Sequence, residues 1–341
     1  MCSGAISPGR GAAVKRARST TVTMAGSAAP RATRRGALLL AAAALLALAG
    51  LARPAAGHGM MISPRARNWV GYLENNYGYA HGLAMGGVPA VSNKGKLTYP
   101  AGRRNMCGDA YNEYKWDKPG PVQASYVVGQ TISIDALVAV NHMGRMSAQI
   151  CPLDAKHGAK CQALTLKAPG VVGEGVKSWY LPGIKNWGGG NHGTEGPKYG
   201  DGTFQAYQLP EITDGSGWGC KGQRFCNTFK GMWVYRTKWA LPKGFKCDQC
   251  KLQWTWTTGH NCWPPCEPGN PMPQCENKQQ FGTCGSPGTA YPEEFVNCAD
   301  VKIMDNAKID FNAQLPPWNW AVKVRSGKWG AVKPSLIHMK D

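Results

Sequence analysis

The chain has 341 residues, with 39 Lys and Arg against 20 Asp and Glu, a formal net charge of +19, and 44 Gly, 24 Pro and 13 Cys. A basic balance of this size suits an anionic surface, a wall polymer or nucleic acid. Nucleic acid is set aside, because no basic run is interleaved with a DNA- or RNA-binding motif.

The first element is a leader. Residues 37–52, "ALLLAAAALLALAGLA", follow Arg31, Arg34 and Arg35, giving the basic region and short apolar region of a secretory signal. The run is too short for a comfortable membrane span, and Pro54 follows it, so a membrane-bound protein is not expected. Ala55 and Gly57 supply the small residues a signal protease needs for a cut before His58. Met24 stands much closer to this signal than Met1, so the first 23 residues are either a spurious start or an unusually long basic region. The expected product is secreted, extracellular or wall-bound. Removing residues 1–57, with eight basic and no acidic side chains, leaves 284 residues, 31 basic against 20 acidic, a net charge of +11.

After the leader the chain is rich in Gly, Pro, Asn and Trp and has no long stretch with helical period. Residues 71–106 read as a long loop. "TISIDALVAV" (131–140) places Ile132, Ile134, Ala136, Val138 and Val140 on one face, the two-residue period of a half-buried strand. A second long loop is expected over 183–203, and loops of such size inside a domain are often functional. Further strands are expected in "GTFQAYQLPEI" (202–212), "MWVYRTKWAL" (232–241), "KLQWTWTT" (251–258) and "FVNCADVKI" (295–303). Residues 262–288 hold four cysteines and read as a disulfide-stapled insertion. From residue 306 the pattern fades into a basic tail, 306–341, with Trp318, Trp320 and Trp329. It is expected to be a flexible or loosely docked extension, and it lacks the apolar end of a lipid-anchor signal. Short strands between turn-rich loops predict an all-β, antiparallel β-sandwich over 58–305.

Apart from Cys2 in the leader, the twelve cysteines, 107, 151, 161, 220, 226, 247, 250, 262, 266, 275, 284 and 298, predict about six disulfides in an exported chain. The spacing of Cys247 and Cys250 also occurs in zinc and redox motifs, but the compartment favours a disulfide.

No nucleophile elbow, phosphate loop or His-Glu-x-x-His is present, and the few carboxylates are too scattered to pair for sugar hydrolysis. Histidine is the informative residue. His81, His157, His192 and His338 lie in polar, turn-rich stretches and read as solvated loop residues. His142 follows the strand at 131–140, where a rigid scaffold holds it within reach of solvent. His58, as a chain terminus, offers the α-amine and ring Nδ1 from one residue. With the amine's ordinary pKa near ~8, a metal can displace its proton at neutral pH. The amine and two imidazoles form a planar T-shaped set of three nitrogens, the donor type copper(II) prefers.

Four stretches carry a family resemblance: "HGMMISPRAR" (58–67), "CGDAY" (107–111), "ALVAVNHMG" (136–144) and "EEFVNCADVKI" (293–303), with a weaker echo in "LQWTWTTG" (252–259). In these the chain resembles the lytic polysaccharide monooxygenases, the group once called chitin-binding type-4 domains, and is most similar to their insect and algal branch. The resemblance spans most of 58–305. It implies an immunoglobulin- or fibronectin-III-like sandwich holding one copper through His58 and His142, with Phe295 on the axial side, where the family carries Phe or Tyr. It further implies crystalline chitin or cellulose as substrate, an external small-molecule or protein reductant, hydrogen peroxide or oxygen as co-substrate, hydrogen abstraction at C1 or C4, and a monomer.

Glu293 lies two residues before Phe295 and on a strand shares its face, so it is a candidate to exchange protons beside the metal. Trp69, Tyr72 and Tyr77, in "NWVGYLENNYGY" (68–79), are candidates to stack on sugar rings around His58. The chain also departs from the family. Val140 stands where relatives often carry a smaller alanine, and Cys107 is single where close relatives often have a pair. "TTGHNCW" introduces His260 and Cys262. His260 reads as an insertion residue rather than part of the copper surface. Two other functions fit the same residues: a module that binds chitin or cellulose without cleaving it, which needs no free amine at His58, and a copper carrier without turnover. A wall protein held by charge alone would be released by high salt.

Overall fold

A computed structural model describes residues 58–73, 84–156, 161–167, 175–183, 196–197, 203–209, 229–272, 274–275 and 282–305. The leader, the tail from 306, Tyr77, Cys220, Cys226 and the histidines at 81, 157, 192 and 338 lie outside the described residues. In chain order the elements are β1 (His58–Ser63), α1 (Arg67–Leu73), α2 (Val88–Val91), β2 (Ala124–Val127), β3 (Thr131–Val140), β4 (Arg145–Pro152), β5 (Gln162–Ala163) and β6 (Thr165–Leu166). They continue with β7 (Ser178–Tyr180), β8 (Gln205–Gln208), β9 (Trp233–Ala240), β10 (Cys247–Thr257) and β11 (Glu294–Met304).

The strands form two sheets. One runs β1-β3-β9-β6, with β8 also on β9, and the other runs β2-β11-β10-β4-β5, with β7 also on β4. All pairs are antiparallel except β2 with β11, which run parallel. The β-sandwich expected from the alternating runs is therefore present. β3 spans the expected run at 131–140, and β9, β10 and β11 fall on the expected strands, with β10 beginning earlier, at Cys247. β1 was not expected, because its side chains do not alternate cleanly in hydropathy: "HGMMIS" is buried on both faces. β4 was not expected either, although "RMSAQICP" does alternate, burying Met146, Ala148 and Ile150.

Helix α1 replaces the start of the expected long loop. Trp69, Tyr72 and Leu73 recur at helical spacing in "RNWVGYL", and its N-terminal Arg67 is locked by a bidentate pair to Asp300 on β11, at 2.7 and 2.6 Å.

Between the sheets lies one continuous core that includes Trp179, Trp239, Trp254 and Trp256, all fully buried. Covering one such ring removes roughly 200 Å² from water, on the order of 5 kcal/mol before conformational entropy is counted. Packing is close enough to dictate small residues. A Cβ on Gly59 would lie 2.8 Å from the Trp256 ring, so β1 crosses the tryptophan only because residue 59 has no side chain.

Five disulfides join ten of the cysteines among the described residues: 107–298, 151–161, 247–250, 262–284 and 266–275. The insertion at 262–288 is stapled by two nested bridges, as its four cysteines suggested. Cys247 and Cys250 are bonded to each other, not arranged around a metal. Bridge 107–298 ties the segment after α2 to β11 across 191 residues, the kind of long closure that contributes about 2–5 kcal/mol by restricting the unfolded chain.

Candidate metal centre

The site is made by the edge pair β1–β3. Gly59 pairs with Val138, but His58 pairs with Val140, so one extra residue, Ala139, is accommodated on β3. Without this bulge His58 would oppose Ala139 and share its face. With it, His58 shares the face of Val140 and stands across from the strand end that leads to His142. The face is confirmed by contact: the His58 ring lies 6.5 Å, centroid to centroid, from Phe295, the second residue of β11.

His142 follows directly on β3 in a turn built to hold it. The Asn141 side-chain oxygen accepts the Met143 N–H at 2.8 Å, and its amide donates to the Pro182 carbonyl at 3.1 Å. Met143 and Gly144 both have positive φ, 51° and 80°. Gly144 is required there, since a Cβ would collide with the backbone of Thr257, Thr258 and Gly259. The Gly259 N–H donates to the His142 carbonyl at 2.8 Å, and Trp256 Nε1–H donates to the Met143 carbonyl at 2.7 Å. His142 is thus 3% exposed and clamped from behind by the end of β10.

Phe295 is 1% exposed and packs on Trp256, 5.4 Å between ring centroids. Trp256 and Phe295 pair across β10–β11, so their side chains face the core together. Glu293, 9% exposed, precedes β11, and its carbonyl accepts the Thr258 N–H at 3.0 Å. Its neighbour Glu294 serves a different purpose, an ion pair to Arg104 at 2.7 Å.

Burial lowers the pKa of His58 below its ordinary 6.5, so its ring is neutral at neutral pH, the form that ligates metals. Among the described residues no three His, Cys, Asp or Glu side chains gather into a metal-binding cluster. A metal held by His58 and His142 would have two side-chain nitrogens, and the main-chain nitrogen of His58 is a candidate third donor. While Gly57 is attached, the His58 nitrogen is an amide and cannot serve; as a terminus it becomes an amine and can. The donor set of a processed chain thus fits copper(II).

The family model described as "Lytic polysaccharide mono-oxygenase, cellulose-degrading" matches residues 58–301. The chain belongs to the lytic polysaccharide mono-oxygenase family. Among solved structures, it is similar to the AA15 lytic polysaccharide monooxygenase from Thermobia domestica in the Cu(I) state, at 20% identity and TM-score 0.40, over 73% of this chain and 100% of that one. It is also similar to the cellulose-active CelS2 in complex with copper, at 11% identity and TM-score 0.34, over 72% of this chain and 98% of that one. No curated protein sequence matches it.

Not every expected site residue of this family member reaches the site. Trp69 and Tyr72 do not. They are 0% and 4% exposed, stacked on each other at 5.2 Å and packed against Phe229. A polymer surface cannot touch rings sealed in the core, so their expected role in substrate stacking is corrected. They sit on α1, whose apolar face is folded inward, rather than on a loop. Tyr77 lies outside the described residues. Conversely, His260, read from sequence as an insertion residue, has its ring centroid 4.4 Å from that of His142. The register places it there, since Thr257 ends β10 opposite Glu294 and residues 258–260 leave the sheet beside Glu293, a pairing the sequence does not display.

Proposed function

We propose that this chain, cut before His58, is a secreted copper monooxygenase that oxidatively breaks β-1,4-linked crystalline polysaccharide, chitin or cellulose, at C1 or C4. The observation that carries the reading is the bulged register opposing His58 to Val140, two residues from His142. The family match, which begins at His58, supports it. So does the leader, whose cut site would create the third nitrogen donor, and so do the disulfides, which suit an oxidising compartment. No helix among the described residues is long and apolar enough to cross a membrane. On this reading residues 1–57 are the signal, 58–305 the catalytic domain and 306–341 an appended tail.

His58, through amine and ring, and His142, through its ring, would hold copper. Bound there, copper would supply the one-electron redox chemistry by which an external reductant and hydrogen peroxide or oxygen could oxidise a C–H bond of the sugar. Phe295 contributes by what it lacks: a buried phenyl ring beside His58 has no donor atom and keeps water from that side. Val140, half-exposed and paired with His58, narrows the same approach. Glu293, on the face of Phe295, gives and takes back a proton at its carboxylate oxygens. The hydroxylated carbon then eliminates, and the glycosidic bond breaks.

The test incubates the processed chain and His142→Ala with chitin and with cellulose, with copper and a reductant. Oxidised oligosaccharides are expected from wild type alone, and their mass and end chemistry identify polymer and carbon. Adsorption without products would favour a binding module. Copper binding without products on any polymer would favour a carrier. Equal products from His142→Ala would overturn the metal assignment.

A further inference from the structure

We infer that His260 is a positioning residue for His142, a flat partner whose ring fixes the rotation of the His142 imidazole. The inference rests on the reading of His58 and His142 as the copper-binding pair. Centroids 4.4 Å apart with planes inclined by 31° put the two imidazoles in direct contact, tilted rather than parallel. Ring nitrogens carry their lone pairs in the ring plane, so His260 offers His142 a surface rather than a ligand.

The contact is imposed from both sides along the chain. Before His260, Thr258 and Gly259 donate to the carbonyls of Glu293 and His142. After it, Asn261 donates to the Tyr291 carbonyl at 3.3 Å, and Cys262 is bridged to Cys284. Trp263 exchanges hydrogen bonds with residues 282–284, its N–H to the Gly282 carbonyl and the Cys284 N–H to its own carbonyl. Gly259 lies so near the Trp263 ring that a Cβ would stand 2.6 Å from it. The segment is therefore held at every residue around the histidine, which is itself half-buried.

This solves a specific mechanical problem. Asn141, Met143 and Gly144 fix the backbone of His142, but the second side-chain torsion of histidine is broad and roughly two-fold. A ligand ring must present one nitrogen in one direction, and backbone hydrogen bonds do not enforce that. A second ring packed against it holds the plane in which that nitrogen lies, because turning the His142 imidazole edge-on would drive it into His260. A half-turn flip keeps the plane and is left to other contacts.

The experiment compares the processed wild type with His260→Ala, His260→Asn and His260→Phe. It uses copper(II) titration by calorimetry, the copper(II) paramagnetic resonance spectrum, and proton NMR of the His142 ring in metal-free protein. Thermal unfolding establishes which ring-less variant is folded, and that variant is used. The expected results are about a tenfold loss of copper affinity and a broadened resonance spectrum without the ring. The Phe variant should return within about threefold of wild type, and the upfield-shifted His142 ring protons should be present in wild type and Phe and absent in the ring-less variant. Wild-type affinity and spectrum in the ring-less variant, or no recovery with Phe, would overturn the inference. A wild type that binds no copper would instead defeat the parent reading, and the metal-free NMR comparison would still decide whether His260 orders His142.

Discussion

Substituting Gly144 by Ala should unfold the site from beneath His142. Residue 144 has φ of 80°, where a side chain costs about 1–2 kcal/mol. The added Cβ would also stand 2.6 Å from the Thr258 carbonyl carbon and 2.7 Å from the Gly259 nitrogen, and closer still to the Thr257 carbonyl oxygen. These are backbone atoms of a paired strand end, which cannot swing aside as a flexible side chain would, and such overpacking costs a further ~1–3 kcal/mol. The sum is about 3 kcal/mol, or roughly 6–12 °C in melting temperature for a domain of this size. The control is Gly244→Ala, at φ of 89° in the turn between β9 and β10, where an added Cβ meets nothing within 4 Å. It should cost only the conformational part, about 1 kcal/mol. Denaturant unfolding of both variants, with copper titration of each, separates the two contributions. Relaxation at Gly144 would push the His142 carbonyl off Gly259, so copper affinity should fall with stability in that variant alone. Equal destabilisation by the two substitutions would refute the claim that backbone contact with the end of β10 positions His142.

Three further outcomes follow from the same structure. Trp69→Ala should cost about 3–5 kcal/mol of stability, while the folded fraction adsorbs to polysaccharide as wild type does; a selective loss of adsorption at wild-type stability would restore its role in substrate contact. A chain retaining Gly57 should bind copper(II) at least tenfold more weakly than one starting at His58, and equal calorimetric affinities would remove the amine from the donor set. Asp109 is pushed up to about 6, chiefly by burial, against the opposing Trp116 and Asp117 N–H groups that donate to it. Because its unfolded value is near 3.8, the native state holds the extra proton between these limits, so this group's contribution to stability rises as pH falls through about 6 and is complete below 3.8. With allowance for screening this amounts to about 1–2 kcal/mol, and Asp109→Asn should abolish it. The stability difference between wild type and that variant, measured by urea unfolding from pH 4 to 7, would be flat if the reasoning fails.

Much of the chemistry was legible before any fold was known. A histidine placed directly after the proposed signal cut, and a second at the end of a clearly alternating strand, are local features from which donor chemistry alone proposes a copper site. The strands at 131–140 and 295–303 were equally readable, because each has one face of Val, Ile, Ala or Phe. Trp69 and Tyr72 misled because aromatic residues near a proposed site read alike whether exposed or buried. The choice is made by α1, a seven-residue helix whose inward face only the core defines. His260 was misjudged for the opposite reason, since nothing local in "TTGHNCW" shows which ring its imidazole will meet.

The sequence by itself named the proposed donors and the proposed processing step that would complete them, since these depend on residue type and position along the chain. Tertiary structure decided which way the donors face. The bulge between Gly59 and His58 moves His58 to the face of Val140, because side chains alternate with a period of two and one extra residue reverses the side on which they emerge. That reversal is a property of two strands paired together, and neither strand carries it alone.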